Sequence, residues 1–131
     1  MKFAKKIVGK SEGLKAAEKL ANWVGKNIYQ ESHSGFFQSP ADTLKRRRGN
    51  CCSQTDLFLQ MCHAVGVTKN HKVCYVHVGT VNYKSRHFFA LIDNLCIDVN
   101  SKPNHPWGHA SVLRDVFTIT EYPMLPLVKE Y

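Results

Sequence analysis

The chain has 131 residues, enough for one domain with a single hydrophobic core that needs no metal or disulfide staple. Its 44% hydrophobic and 21% charged residues are those of an ordinary globular protein; no apolar run reaches membrane-spanning length, and the opening Met-Lys-Phe-Ala-Lys-Lys has no hydrophobic signal region. A net charge of +8 implies a polyanionic partner: nucleic acid, a membrane surface or an acidic wall polymer.

In chain order, Leu14, Ala17, Leu20, Ala21, Val24 and Ile28 follow the rhythm of an amphipathic helix, with Ser11 as its expected N-cap. The lysines of Met1–Lys26 fall on its solvated face. Residues 31–38 are polar and glycine-containing, hence loop. Ser39-Pro40 reads as an N-cap followed by a proline in the first turn, opening a short helix that Gly49 stops. Asn50 caps a longer helix, roughly Cys51 to Val65, with Gly66 as its left-handed terminator. After Gly66 the period changes. Lys72–Gly79, Arg86–Ile92 and Leu95–Val99 read as strands, and Asp93-Asn94 as a two-residue turn that makes the last two a tight hairpin. Ser101–Gly108, with two prolines, is loop; Arg114–Glu121 alternates enough for a further strand. Helices first and antiparallel strands after make the chain α+β.

The chemistry concentrates at Gly49-Asn50-Cys51-Cys52. A cysteine in the first turn of a helix lies where unpaired N–H groups and the helix dipole favour negative charge, and so favour the thiolate nucleophile. At 100° per residue, Ser53, Asp56, Gln60 and His63 form one polar stripe. Cys51 lies almost opposite it, on the face of Thr55, Phe58, Cys62 and Val65, while Cys52 lies at the edge of the interface. Cys51 is therefore the candidate nucleophile. Cys62, Cys74 and Cys96 sit among apolar neighbours, and all five thiols are expected free and reduced.

With a two-residue turn, Ile92 pairs with Leu95 and His87 lies across from Asn100. Asp98 is two residues along on the same face, a diagonal neighbour of His87. A carboxylate there can accept the imidazole N–H, fix its tautomer and stabilise the imidazolium formed when the thiol loses its proton. Asn100 is the alternative orienter. For the oxyanion, the Cys51 backbone N–H is one donor, and Asn50 or an upstream side chain such as Gln38 is the candidate second. Lys45-Arg46-Arg47-Arg48 beside the Cys51 helix is the sharpest basic feature and is assigned to substrate attraction. No zinc-finger spacing, RNP signature or phosphate loop accompanies it, so nucleic acid is not the expected partner. The remaining histidines, His33, His71, His77, His105 and His109, show no metal-binding spacing.

Trp23-Val24-Gly25-Lys26-Asn27-Ile28-Tyr29, Gly49-Asn50-Cys51, Gly66-Val67, Arg86-His87-Phe88 and Ile97-Asp98-Val99 together resemble the transglutaminase-like cysteine hydrolase superfamily over about 80 residues. The resemblance implies a papain-like fold, helices packed on a small antiparallel sheet, and a Cys51-His87-Asp98 triad. The departures are Cys52 beside the nucleophile, a short hairpin and no familiar aromatic ending after Asp98. Within the superfamily, GNCCSQTDLFLQMCHAVGV and RHFFALIDNLCIDVN are similar to the catalytic domain of the pseudomurein endoisopeptidases, lytic enzymes of viruses and proviruses of methanogenic archaea. That resemblance implies thiol-dependent hydrolysis of the Ala–ε-Lys isopeptide bond in the peptide cross-links of the archaeal wall. No cofactor takes part in the chemistry it implies, and a divalent cation such as calcium assists. It also implies a single catalytic domain over 1–131 cut from a longer protein with N-terminal wall-binding repeats. The enzyme would be a monomer, made in the host cytoplasm, acting on wall peptide and binding no membrane.

Overall fold

The fold is that of a computed structural model, which describes residues 2–31, 38–79, 86–99 and 116–121. Two helices open it, α1 (Lys2–Val8) and α2 (Gly13–Asn27), followed by β1 (Tyr29–Gln30), α3 (Pro40–Arg46), β2 (Arg48–Gly49), α4 (Cys51–Ala64) and the single-turn α5 (Val67–Asn70). The strands β3 (Val73–Gly79), β4 (Arg86–Ile92), β5 (Leu95–Ile97) and β6 (Val116–Glu121) form an antiparallel sheet in the order β5-β4-β3-β6. This is the expected α+β arrangement, helices on a small antiparallel sheet. No described helix is long and apolar enough to cross a membrane.

The amphipathic face of α2 is buried at Ala16, Ala17, Leu20, Ala21 and Val24, but Glu12 rather than Ser11 occupies its N-cap position. Gly9, at φ 58°, separates it from α1. Ser39 caps α3 as expected, its Oγ accepting from the Asp42 N–H at 3.1 Å. Gly49 does not stop that helix. Arg47 does, at φ 59°, with its guanidinium 5.0 Å from the Trp23 ring centre and 5.5 Å from that of Phe3. These tertiary contacts hold a non-glycine residue in the left-handed region. Gly49 instead joins β2, which runs parallel to β1.

Helix α4 is the centre of the molecule. It packs on α1, α2 and α3 and on β3 and β4, so every residue from Cys52 to Leu59 is buried. The polar stripe expected on it is therefore not a solvated face: Ser53 and Asp56 are buried, Gln60 half-buried and His63 exposed. Rotation about a helix axis predicts the angle between side chains, but not how many partners surround the helix.

Asp93 and Asn94, at φ 51° and 72°, make the tight turn, and Ile92 pairs with Leu95. Asp93 also ties this turn to the start of β3. Its carboxylate takes the His71 Nδ1 at 2.5 Å and the Lys72 N–H at 2.9 Å. The His71 hydrogen bond, then that from Lys72, holds the Asp93 carboxyl below its ordinary range. This contact therefore stabilises the fold above the carboxyl's unfolded pKa and is lost as pH falls.

Candidate active site

Glycine at 49 is dictated by crowding. A Cβ there would meet Ser53 Cβ at 2.9 Å and Gln38 Nε2 and Thr43 Cγ2 at 3.3 Å. The chain then turns into α4 at Asn50, whose Oδ1 accepts from the Ser53 N–H at 2.8 Å. Cys51 is thus the first residue of a 14-residue helix, half-buried against the main core. Cys52 is not at an edge. It is 1% exposed, with its Sγ 2.6 Å from the Tyr75 hydroxyl. Cys62 and Cys74 are buried, and burial pushes both thiols above the ordinary range. None of the five cysteines is in a disulfide.

The first turns of α4 lie against β4. Thr55, one turn beyond Cys51, donates its hydroxyl to the Phe88 carbonyl at 3.3 Å, and Phe88 follows His87. The backbone of β4 next to His87 is thereby fastened one turn from Cys51. His87 pairs with Val78 of β3; its side chain lies outside the described part of the structure, as do Asn100, His105 and His109. Asp98 lies one residue past β5 and is 6% exposed. Continuing the β4–β5 register by one pair sets Asp98 opposite Phe89, two residues from His87. The structure thus brings the β4 backbone beside His87 to the first turns of α4, and places Asp98 at the end of the strand that pairs with β4.

Gln54 went unnoticed in the sequence. It is fully buried, and its Nε2 donates to the Gly49 carbonyl at 2.8 Å and to Gln30 Oε1 at 2.9 Å. The Gly49 carbonyl also accepts from the Glu31 N–H at 3.0 Å, and the Gln54 N–H donates to the Asn50 carbonyl at 2.9 Å. Both peptide groups leading into Cys51 are thereby fixed. Among the described residues Gln54 Oε1 has no hydrogen-bond partner, so the side chain is held through its NH₂. The available signal was an amide three residues after Cys51, within the polar stretch Ser53–Asp56 of a helix expected to pack on the core. Gln54→Leu is expected to lower kcat by about ten- to a hundredfold with little change in KM, because small displacements of a reacting group are that costly. Steady-state rates on a short amide substrate, alongside a melting curve, test this; an equal loss in unfolding stability with unchanged kcat would reduce Gln54 to a core residue.

Gln38 donates to Thr43 Oγ1 at 2.9 Å and to the Arg48 carbonyl at 2.7 Å, which engages both its amide hydrogens, and its Oε1 accepts from Arg46. In this arrangement it braces the Gly49 turn and presents no free N–H to an oxyanion. Of the basic run, Lys45 is exposed, Arg46 and Arg48 flank Glu31 at 2.8 and 3.3 Å, and Arg47 covers Phe3 and Trp23. Among the described residues there is no group of three or more His, Cys, Asp or Glu able to hold a metal ion.

Burial raises the Asp56 carboxyl to about 6. Its folded pKa thus exceeds the unfolded value of 3.8, so the native state binds more protons between the two and stability falls as pH rises through that window. The cost above pH 6 is about 3 kcal/mol at most. Asp56→Asn is expected to raise the melting temperature at pH 7 and to leave it nearly unchanged at pH 4. A lower melting temperature at pH 7 would show that the carboxylate is paired.

The transglutaminase-like superfamily matches residues 1–114. No curated protein matches the chain. Among solved structures, a candidate cysteine protease from Cytophaga hutchinsonii is similar, with a TM-score of 0.58 at 24% identity over 76% of this chain. The chain matches 36% of the length of that protein.

Proposed function

The chain belongs to the transglutaminase-like superfamily, and from that premise we propose that it is a cysteine hydrolase that opens amide bonds through a thioester on Cys51. The observation that carries this is the fastening of α4 to β4: a half-buried thiol at a capped helix mouth, one turn from the contact with the strand of His87. In this mechanism His87 takes the Cys51 proton, and the thiolate attacks the substrate carbonyl. The oxyanion is held by the Cys51 N–H at the positive end of α4. His87 then returns the proton to the leaving amine as the C–N bond breaks. Water, activated by the same imidazole, attacks the thioester, releasing the acid and regenerating the thiol. Asp98 fixes the imidazole and offsets its charge.

We further propose that the bond is the Ala–ε-Lys isopeptide of pseudomurein cross-links. Sequence resemblance supports this, and so does the charge of +8, which suits a wall peptide bearing glutamate carboxylates. On this reading the enzyme works as a monomer on the wall after synthesis in the cytoplasm, with calcium as an aid to activity and not a reactant. A peptidase acting on proteins is the second reading, favoured by the fold shared with the Cytophaga hutchinsonii protein. Pseudomurein-walled cells decide between them: loss of turbidity with release of free lysine ε-amines supports the isopeptidase. Intact walls together with cleavage of a denatured protein would support the second.

A further inference from the structure

Arg46, Arg47 and Arg48 have intramolecular partners, but among the described residues the lysines gathered at the opposite end of α4 form no ion pair. Lys5 of α1, Lys10 of the α1–α2 turn and Lys69 of α5 line one open pocket of about 550 Å³, together with His63 and Glu12. None of the three lysines forms a salt bridge among the described residues. The walls are braced by short backbone bonds: Gly9 N–H to the Lys5 carbonyl at 3.0 Å, Gly66 N–H to the His63 carbonyl at 3.1 Å and Lys69 N–H to the Gly66 carbonyl at 3.1 Å. His63 Nδ1 is 2.8 Å from the Thr68 hydroxyl, which orients its ring. The carbonyl ends of α1 and α4 account for a basic residue in each last turn, Lys5 and His63. They do not account for Lys10, nor for the meeting of three separate elements at one cavity. Three like charges offset by one carboxylate repel one another, and an anion bound between them relieves that repulsion.

We propose that this pocket is a carboxylate-binding exosite for the acidic polymer whose cross-link Cys51 opens; the identity of the polymer rests on the hydrolase reading above. The pocket meets α4 at His63–Gly66, while Cys51 opens the same helix, so the two are about 20 Å apart. An extended peptide of roughly six residues spans that distance. A polymer reaches both sites, and a short isopeptide reaches only one.

The test uses the full chain carrying Cys51→Ala, with poly-L-glutamate as the probe. The pocket variant Lys5→Gln/Lys10→Gln/Lys69→Gln is compared with Lys15→Gln/Lys19→Gln/Lys26→Gln, which removes the same charge from the solvent side of α2. The pocket variant is expected to bind about tenfold more weakly and with a flatter salt dependence, and the α2 variant to change by about twofold or less. Equal weakening in both variants, or no binding by the parent, overturns the exosite, as does tighter binding of oligouridylate than of polyglutamate by the parent. The pocket substitutions in the Cys51 protein are expected to leave kcat/KM on a short isopeptide unchanged. Selective loss of binding in a protein that never cleaves the isopeptide would sustain the pocket and sink the hydrolase; cleavage without selective binding would do the reverse.

Discussion

Cys51→Ala is expected to remove amide hydrolysis, with a fall in kcat on the order of 10⁴- to 10⁶-fold, while the melting temperature stays close to that of the parent. The thiol is half-buried at the first position of α4, where alanine keeps the helix and fits the same space. Cys52→Ala should behave in the opposite way. That side chain lies in the core with its Sγ against the Tyr75 hydroxyl, so its loss creates a small cavity and removes a buried contact. A destabilisation of about 1–3 kcal/mol with most of kcat retained is the expected outcome. Rates and melting curves for the two variants check both statements. Loss of hydrolysis from Cys52→Ala in a folded protein would transfer the nucleophile to the neighbouring position.

Asp98→Asn carries the second large effect. In the proposed triad the amide would keep the shape of the carboxylate but favour the wrong imidazole tautomer and remove a charge that stabilises the imidazolium. The loss in kcat is on the order of 10⁴-fold for a serine triad and smaller where a cysteine–histidine pair is already partly ionised. Asp98 is nearly fully buried just beyond β5, and the β4–β5 register brings it within two residues of the His87 position. Asn100→Ala is expected to cost far less. Steady-state rates of the two variants on one isopeptide decide between the orienters: a crippled Asn100→Ala beside a mild Asp98→Asn would make the triad Cys51-His87-Asn100.

Local chemistry explains what could be read from the chain. Asn50, Gly66, Ser39-Pro40 and Asp93-Asn94 each act within a few residues, and each performs in the structure the role its side chain or φ preference suggests. The features that escaped are tertiary. Arg47 ends α3 because Phe3 and Trp23 receive its guanidinium, and those rings come from α1 and α2, well outside any local window. Ser53 and Asp56 look solvated on a helical wheel but are buried because α4 has neighbours on all sides. Gln54 reads as one of four polar residues, Ser53–Asp56, until β1 and β2 bring Gln30 and the Gly49 carbonyl to it. For the site itself, the Gly49-Asn50-Cys51 turn was legible because crowding, capping and the helix mouth are all encoded within five residues. The role of the basic run was less so, since Glu31 and the aromatic rings that engage it are distant in sequence.

The central claim is a covalent intermediate on one named sulfur. Mixing the protein with an isopeptide substrate, quenching in acid within the first turnover and mapping the peptides by mass spectrometry reads it directly. The account predicts an acyl adduct on the peptide containing Cys51, sensitive to hydroxylamine as a thioester is, and absent from Cys51→Ala. Substrate turnover with no adduct on Cys51, or with the acyl group on Cys52 or another cysteine, would contradict it.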